Sequence, residues 1–406
     1  MVYLILPRGS DFGWGVCGKY LVKELSKYTQ VKYITDSFGV EDIGDELDYH
    51  FLRSKVIGEA EYNSIISGRF MHVDSPVLQA IPLTDFLPWK LRLKGSSNVG
   101  YTFFEINKLD PNCIQNAREN FDMVVAGSTW CEQVLKNHGL ETTVTIIQGI
   151  DPLVFNPLYA EKEFFKDRFV VFSGGKFEFR KGQDVVIRAY KVLQDRHEDV
   201  MLVNSWFNGW IDSMKTMSAS SYIRFNMGGN NCISTINKTL HENGIDLNRV
   251  IILPPRSHYS MARIYQNTDI GLFPNRCEGG TNLVLMEYMA CGKPVIASFN
   301  SGHRDVVNEH NAILIRQMKS LIIRGEKNSV MAVWEEPDLE ETVSHLEWAY
   351  QHRDELKSLG GQAGRDMKQL TWERTAGQFY QILEQMSHLK THGPAELNAA
   401  DNRMKA

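Results

Sequence analysis

At 406 residues the chain exceeds what one ordinary hydrophobic core holds, so two domains are expected. Apolar residues make up 43% and charged residues 23%, a globular composition that excludes a disordered or fibrous chain. The net charge of -5 gives no overall pull toward nucleic acid or an anionic membrane, and no run approaches the roughly 20 apolar residues that span a bilayer.

Six scattered cysteines indicate neither a zinc site nor a disulfide framework; reduced thiols in the cytoplasm are expected. Residues 1–7 are apolar but only one strand long, with no basic leader, and are not read as a signal peptide. They form a first strand, followed by a glycine-rich loop carrying Gly9, Gly13, Gly15 and Gly18. A helix over about 19–28 and a strand over 31–35 come next, the opening of a βαβ unit. The glycine spacing approaches the dinucleotide-binding pattern without matching it.

Residues 69–74 read as a strand end. Residues 88–95 mix basic and apolar side chains and read as a loop or edge strand rather than a membrane or acceptor surface. Residues 99–105 form a strand ending in Glu105, at the edge where open α/β sheets bind ligands. Another strand covers 121–128, with Ser128 capping a helix from Trp130. Proline and charge over 151–167 indicate a linker.

A strand at 169–173 leads into Gly174, Gly175 and Lys176, then Arg180 and Lys181. The helix that follows has apolar residues at 185, 186, 189, 190 and 193, a 3.6-residue stripe. Strands are expected at 201–205 and 249–253, with 206–232 between them as surface decoration. Residues 269–274 read as a buried strand ended by a proline. Glu278, Gly279 and Gly280 make a polar loop, and Thr281 is positioned to cap a helix. That helix buries Leu283, Leu285, Met286, Met289 and Ala290, and Gly292 stops it before a strand at 294–297. A charged helix over 339–357, an amphipathic one over 372–386 and a frayed tail over 390–406 complete the chain.

The loop before that helix suggests an anion. Gly279 and Gly280 let a ligand approach the backbone, and the N–H groups of Thr281, Asn282 and Leu283 sit at a positive helix end. Glu287, about one and a half turns in, is better suited to sugar hydroxyls than to phosphate. From this stretch alone an ordinary capped helix start is equally open.

The string from Glu278 to Glu287, followed by Met289-Ala290-Cys291-Gly292-Lys293-Pro294, resembles the donor-binding motif of family 4 retaining glycosyltransferases. Eight residues separate the two glutamates here, one more than is usual in that family. The resemblance is closest over 169–312, weaker over 99–157 and vague elsewhere. It implies an α/β protein of GT-B architecture, two Rossmann-like domains facing across a cleft. Residues 1–160 would be the acceptor-side domain, with a helix at about 372–389 packing back on it, and 161–371 the donor domain. The implied activity is metal-independent transfer of a sugar from a nucleotide diphosphate to a hydroxyl, with retention of anomeric configuration.

The resemblance also implies roles. Glu287 would hold the donor ribose and Glu278 the donor sugar. Lys176 and Lys181, with Arg180 able to replace either, would neutralise the diphosphate, helped by Gly13 and Gly15 from the first domain. Glu105 ranks first and His72 second for acceptor activation, although the departing phosphate could itself take the proton. No metal and no cofactor are expected. The partners would be a nucleotide diphosphate sugar and a carbohydrate, lipid-linked or other hydroxyl acceptor. Nucleic acid is not expected, and peripheral membrane contact stays open. A nucleotide-sugar epimerase, a glycogen-phosphorylase-like enzyme and a non-catalytic nucleotide-sugar-binding module are the rival readings. The first two lack recognisable residues of their own here.

Overall fold

The structure is a computed structural model that describes residues 1–392, apart from 67–70, 83, 89–92, 160–161, 230 and 326–327. The first half begins β1 (Val2–Ile5), α1 (Gly13–Leu25), β2 (Val31–Ile34), α2 (Val40–Ile43), α3 (Glu46–Lys55) and α4 (Glu59–Ile66). It continues β3 (Met71–His72), β4 (Val77–Ile81), β5 (Leu93–Lys94), β6 (Asn98–Thr102), α5 (Pro111–Asn120), β7 (Met123–Ala126), α6 (Thr129–Asn137) and β8 (Thr143–Thr145). Six strands form a parallel sheet in the order β2-β1-β4-β6-β7-β8, while β3 and β5 pair separately. Of the segments expected at 69–74 and 88–95, residues 69–70 and 89–92 lie outside the described residues.

α1 starts six residues earlier than the glycine pattern suggests and takes Gly13, Gly15 and Gly18 into its first turns. Packing explains this. A Cβ on Gly18 would lie 1.9 Å from the Pro7 carbonyl oxygen, and one on Gly15 would lie 2.7 Å from the Gly9 nitrogen. Bare backbone therefore lets the loop after β1 rest directly on the helix.

The second half runs β9 (Phe169–Gly174), α7 (Gln183–Arg196), β10 (Val200–Ser205), α8 (Ile211–Met214), α9 (Cys232–Glu242), β11 (Val250–Ile252) and α10 (Met261–Gln266). Then come β12 (Ile270–Phe273), α11 (Leu283–Ala290), β13 (Val295–Ser298) and β14 (Ile313–Ile315). The parallel order β11-β10-β9-β12-β13-β14 reverses direction between β9 and β12. In such a sheet the crevice at the carboxyl ends of those two strands is where ligands bind.

Three expectations are corrected. Residues 206–232 are not mere decoration: Trp206, Met214 and Met217 are buried in the second core, and Ser220 bonds the buried Asp184 at 2.6 Å. An antiparallel hairpin, β15 (Met318–Arg324) and β16 (Val330–Pro337), was not expected at all. The charged helix over 339–357 is two helices, α12 (Leu339–Gln351) and α13 (Arg353–Met367), divided at His352.

The last helix, α14 (Trp372–His392), returns to the first sheet. Trp372 stacks on Tyr20 and Phe379 meets Tyr101 edge-on. It runs past the expected end at 386 into the segment expected to be frayed, and residues 393–406 of that segment lie outside the described residues. Among the described residues no helix is long and apolar enough to cross a membrane.

Candidate active site

The crevice is built from two strand ends. After β9 the chain makes one tight helical turn, Phe179–Lys181, closed by Gly182 at φ +72°. A Cβ there would lie 2.0 Å from the Pro274 carbonyl oxygen, so α7 begins hard against the end of β12. This contact brings Arg180 and Lys181 over the loop that follows β12. Lys181 Nζ donates to Glu278 Oε1 at 2.6 Å, and Arg180 Nη1 donates to Glu278 Oε2 at 2.9 Å. Asn275 Nδ2 also donates to Glu278. Arg180 further holds Glu178 at 2.6 Å and, from the first domain, Glu105 at 3.4 Å.

Burial alone would raise the Glu278 carboxyl, but Lys181 and then Arg180 outweigh it and hold it down at about 2. Burial opposes the Arg180 charge too, yet Glu105, Glu278 and Glu178 keep its pKa raised. The loop itself is staked down. Arg276 is buried and pairs with Asp184 at 2.7 Å and Glu336 at 2.7 Å. The Glu278 N–H donates to Ser301 Oγ at 2.8 Å.

The helix start differs from expectation in one residue. Asn282, at φ +62°, precedes α11, and Thr281 instead turns its hydroxyl to Met286 Sδ at 2.9 Å. Asn282 Nδ2 donates to His303 Nε2 at 3.2 Å, which puts the ring proton on Nδ1, donating to the Ser298 carbonyl at 3.1 Å. Burial pushes His303 down to about 4, so the ring is neutral near pH 7. The N–H groups of Gly280, Thr281, Asn282 and Leu283 have no partner among the described residues. Thr281 and Asn282 are buried, and an unpaired buried N–H is rare and costly.

Glu287 lies deeper on α11. Burial pushes its carboxyl up to about 8, with Lys19 opposing and Asp151 adding to the rise. Lys19, fully buried on α1, donates to the Tyr259 hydroxyl at 2.9 Å, and burial pushes it down to about 7.

The first domain supplies the opposite wall. A Cβ on Gly13 would sit 3.9 Å from Leu283 Cδ1, so the starts of α1 and α11 are neighbours. Ser128 Oγ donates to the Gly279 carbonyl at 2.7 Å, and a Cβ on Gly279 would lie 2.3 Å from the Phe104 oxygen. A Cβ on Gly280 would lie 3.0 Å from Phe103 Cδ1. Both loop glycines are thus spent on close contact with the first domain. Ser128 caps α6 as expected, which starts one residue earlier at Thr129.

Of the expected site residues, the structure gathers Glu278, Lys181, Arg180 and Glu105 into one cluster at the start of α11. Lys176 lies beside the cluster without bonding Glu278: burial lowers its pKa, Glu178 and Glu105 pull the other way, and its ammonium sits over Trp210, 3.9 Å from the ring centre. Trp210 in turn meets Phe12 of the first domain edge-on. His72 is exposed on β3, which pairs with β5, and makes no contact with the cluster. Sequence reasoning passed over Glu178, Asn275, Ser301, His303 and Trp210. The signal for Ser301 and His303 was their place just beyond β13, the same sheet edge that singled out Glu278. Among the described residues no group of three or more His, Cys, Asp or Glu is placed to hold a metal ion.

Residues 207–323 match the family model of glycosyl transferases, group 1. No curated protein matches the chain in sequence. The sucrose-phosphate synthase of Thermosynechococcus elongatus is similar in structure, with a TM-score of 0.66 at 16% identity over 95% of this chain and 98% of that one. The Anabaena protein HepE, solved with UDP and glucose, gives 0.63 at 14% identity over 95% of this chain and 100% of that one. The catalytic domain of starch synthase IV from Arabidopsis thaliana, bound to ADP and acarbose, gives 0.60 at 13% identity over 95% and 99%. At such identities what is shared is the fold, and the fold of this chain is GT-B: two Rossmann-like domains facing each other across a cleft.

Proposed function

We propose that the chain is a glycosyltransferase that moves a sugar from a nucleotide diphosphate to an acceptor hydroxyl, with retention of configuration and without a metal. One observation carries this reading: unpartnered N–H groups at the start of α11 lie at the switch point of the second sheet, beside Lys181 and Arg180. Breaking the bond between sugar and diphosphate builds negative charge on the departing phosphate. Fixed N–H donors and cations stabilise that charge without reorganising. The group 1 match over 207–323 covers this loop and supports the same reading.

Glu278 now engages both cations. An arriving diphosphate competes for them and frees the carboxylate for the donor sugar's hydroxyls. Glu287, protonated near neutral pH, is suited to donate a hydrogen bond to the ribose. Lys176 would join the diphosphate by leaving Trp210. Glu105 is the first-domain carboxylate closest to the cluster and the candidate to receive the acceptor's proton, a role the departing phosphate shares. No cofactor beyond the donor is required, and six free thiols suit a cytoplasmic setting.

The test is hydrolysis and transfer from a panel of UDP-, ADP- and GDP-sugars, with and without EDTA. Turnover of at least one donor, insensitive to the chelator and retaining at the anomeric carbon, is the expected outcome. Strict dependence on magnesium or manganese would overturn metal independence, and binding without turnover would leave a nucleotide-sugar-binding module.

A further inference from the structure

Beside the cleft, on the outer face of α6, lies a cavity of about 440 Å³, within the roughly 300–1,000 Å³ range of small-molecule sites. Trp130, Gln133, Val134 and Asn137 line it at i, i+3, i+4 and i+7, one face of the helix. The facing wall is the loop carrying Asn107 and Lys108. That loop begins at Glu105, which contacts Arg180 of the active-site cluster at 3.4 Å, so the cavity opens two residues from the cleft wall.

The loop is held by both domains. His138 Nδ1 donates to the Val134 carbonyl at 2.8 Å, and its Nε2 accepts from the Leu109 N–H at 3.3 Å. From the hairpin, Val333 exchanges two hydrogen bonds with the Asn107 amide, at 2.9 and 3.1 Å. Trp334 Nε1 donates to the Glu105 carbonyl at 2.6 Å, and the Lys108 N–H donates to the Met331 carbonyl at 3.2 Å. Asn107 and His138 are therefore committed to building the wall.

What remains is mixed in kind. Among the described residues the Trp130 indole N–H and the Lys108 ammonium have no partner. Gln133 Nε2 donates to Asn137 Oδ1 at 2.8 Å, which leaves Gln133 Oε1 and Asn137 Nδ2 available. Donors and an acceptor thus surround an aromatic ring, with Val134 the one aliphatic side chain in the lining. A pyranose answers this arrangement: its hydroxyls donate and accept, and its C–H face stacks on an aromatic. Neither a lipid tail nor a diphosphate does, because five of the seven lining side chains are polar and Lys108 is the single cation among them.

We infer that this cavity is a saccharide subsite holding a part of the acceptor remote from the reacting hydroxyl. The inference rests on the proposed glycosyl transfer and narrows its acceptor to a saccharide long enough to reach from the cleft to α6. Because the hairpin of the second domain pins one wall, the subsite is complete only when the two domains are together.

The test uses the full chain, ¹⁵N-labelled, with the Trp130 indole signal assigned from its loss in Trp130→Phe. Maltotetraose and cellotetraose are titrated, with glycerol as the non-saccharide control. A saturable shift of the Trp130 indole with an oligosaccharide and none with glycerol is expected. Gln133 and Asn137 are exposed, so the double variant Gln133→Ala/Asn137→Ala should fold and weaken that binding about tenfold. The same variant should raise the KM for a saccharide acceptor about tenfold. No saturable shift with either oligosaccharide, an equal response to glycerol, or unchanged affinity and acceptor KM in the double variant would each overturn the subsite. Nucleotide-sugar turnover by the unaltered chain reports separately on the proposed function, so the two can fail independently.

Discussion

Glu278 and Glu287 lie on one loop and the helix it feeds, both enclosed by protein, and they hold different protonation states near pH 7. Glu278 sits at the sheet edge, where Lys181 and Arg180 converge on it from the end of the neighbouring strand. Glu287 is buried deeper on α11, where Lys19 favours its charge and Asp151 works against ionisation. Burial is common to both; the number of cations is not. A carboxylate already bound to two cations marks a place where phosphate could take over the same partners. A neutral carboxyl marks a place suited to hydroxyls. On the proposed function, the contrast separates a charge-handling end of the site from an end suited to the ribose.

The anchor beneath the first end offers the largest break. Arg276→Met leaves Asp184 buried without its cation and should destabilise the protein by about 3–5 kcal/mol, read by denaturant unfolding. A loss within the error of that measurement would mean that this ion pair does not hold the Glu278 loop.

Next is the clamp. Lys181→Ala removes one of the two cations while Arg180 stays, and turnover should fall roughly 10²- to 10³-fold. Near-wild-type turnover would place the reacting phosphate elsewhere. The expectations that led to these two residues came from one recurring pattern. Lys181 and Glu278 both follow strands covered on both faces, whose apolar runs are easy to see, as in Ile270–Phe273 between Asp269 and Pro274.

Where that pattern fails, legibility fails too. Between β2 and β6 the elements are helices of four to ten residues and strands of two to five, too short to set a period. The hairpin β15–β16 is half exposed along both strands, so its alternation is weak. The contacts of Trp210 with Lys176 and Phe12 join segments far apart in the chain, and no local signal announces them. The helix start was missed by one residue because Asn282 adopts a left-handed conformation that Thr281 was not asked to supply.

A smaller effect sharpens the comparison through pH. The Glu278 carboxyl lies below its ordinary 4.5, so its contribution to stability is present above that value and lost as pH falls toward 2. Glu287 lies above 4.5, so the folded state holds its proton more tightly and stability is lost as pH rises from 4.5 toward 8. Glu287→Gln removes that loss. Its stability relative to the unaltered protein should therefore increase between those pH values, as measured by unfolding at several pH points. A constant difference across the window would mean that Glu287 is ionised throughout.

The most direct measurement is the pair of kinetic constants for donor turnover in Glu278→Gln and Glu287→Gln at pH 7. Glu278→Gln should lower kcat, because in the proposed reaction its carboxylate meets the sugar whose charge and shape change during transfer. Glu287→Gln should change donor KM with kcat preserved, because the ribose does not react, and the change should be modest where the acid is already neutral. Wild-type kcat in Glu278→Gln, or a loss of kcat confined to Glu287→Gln, would contradict the division of the site into a charge-handling end and a ribose-reading end.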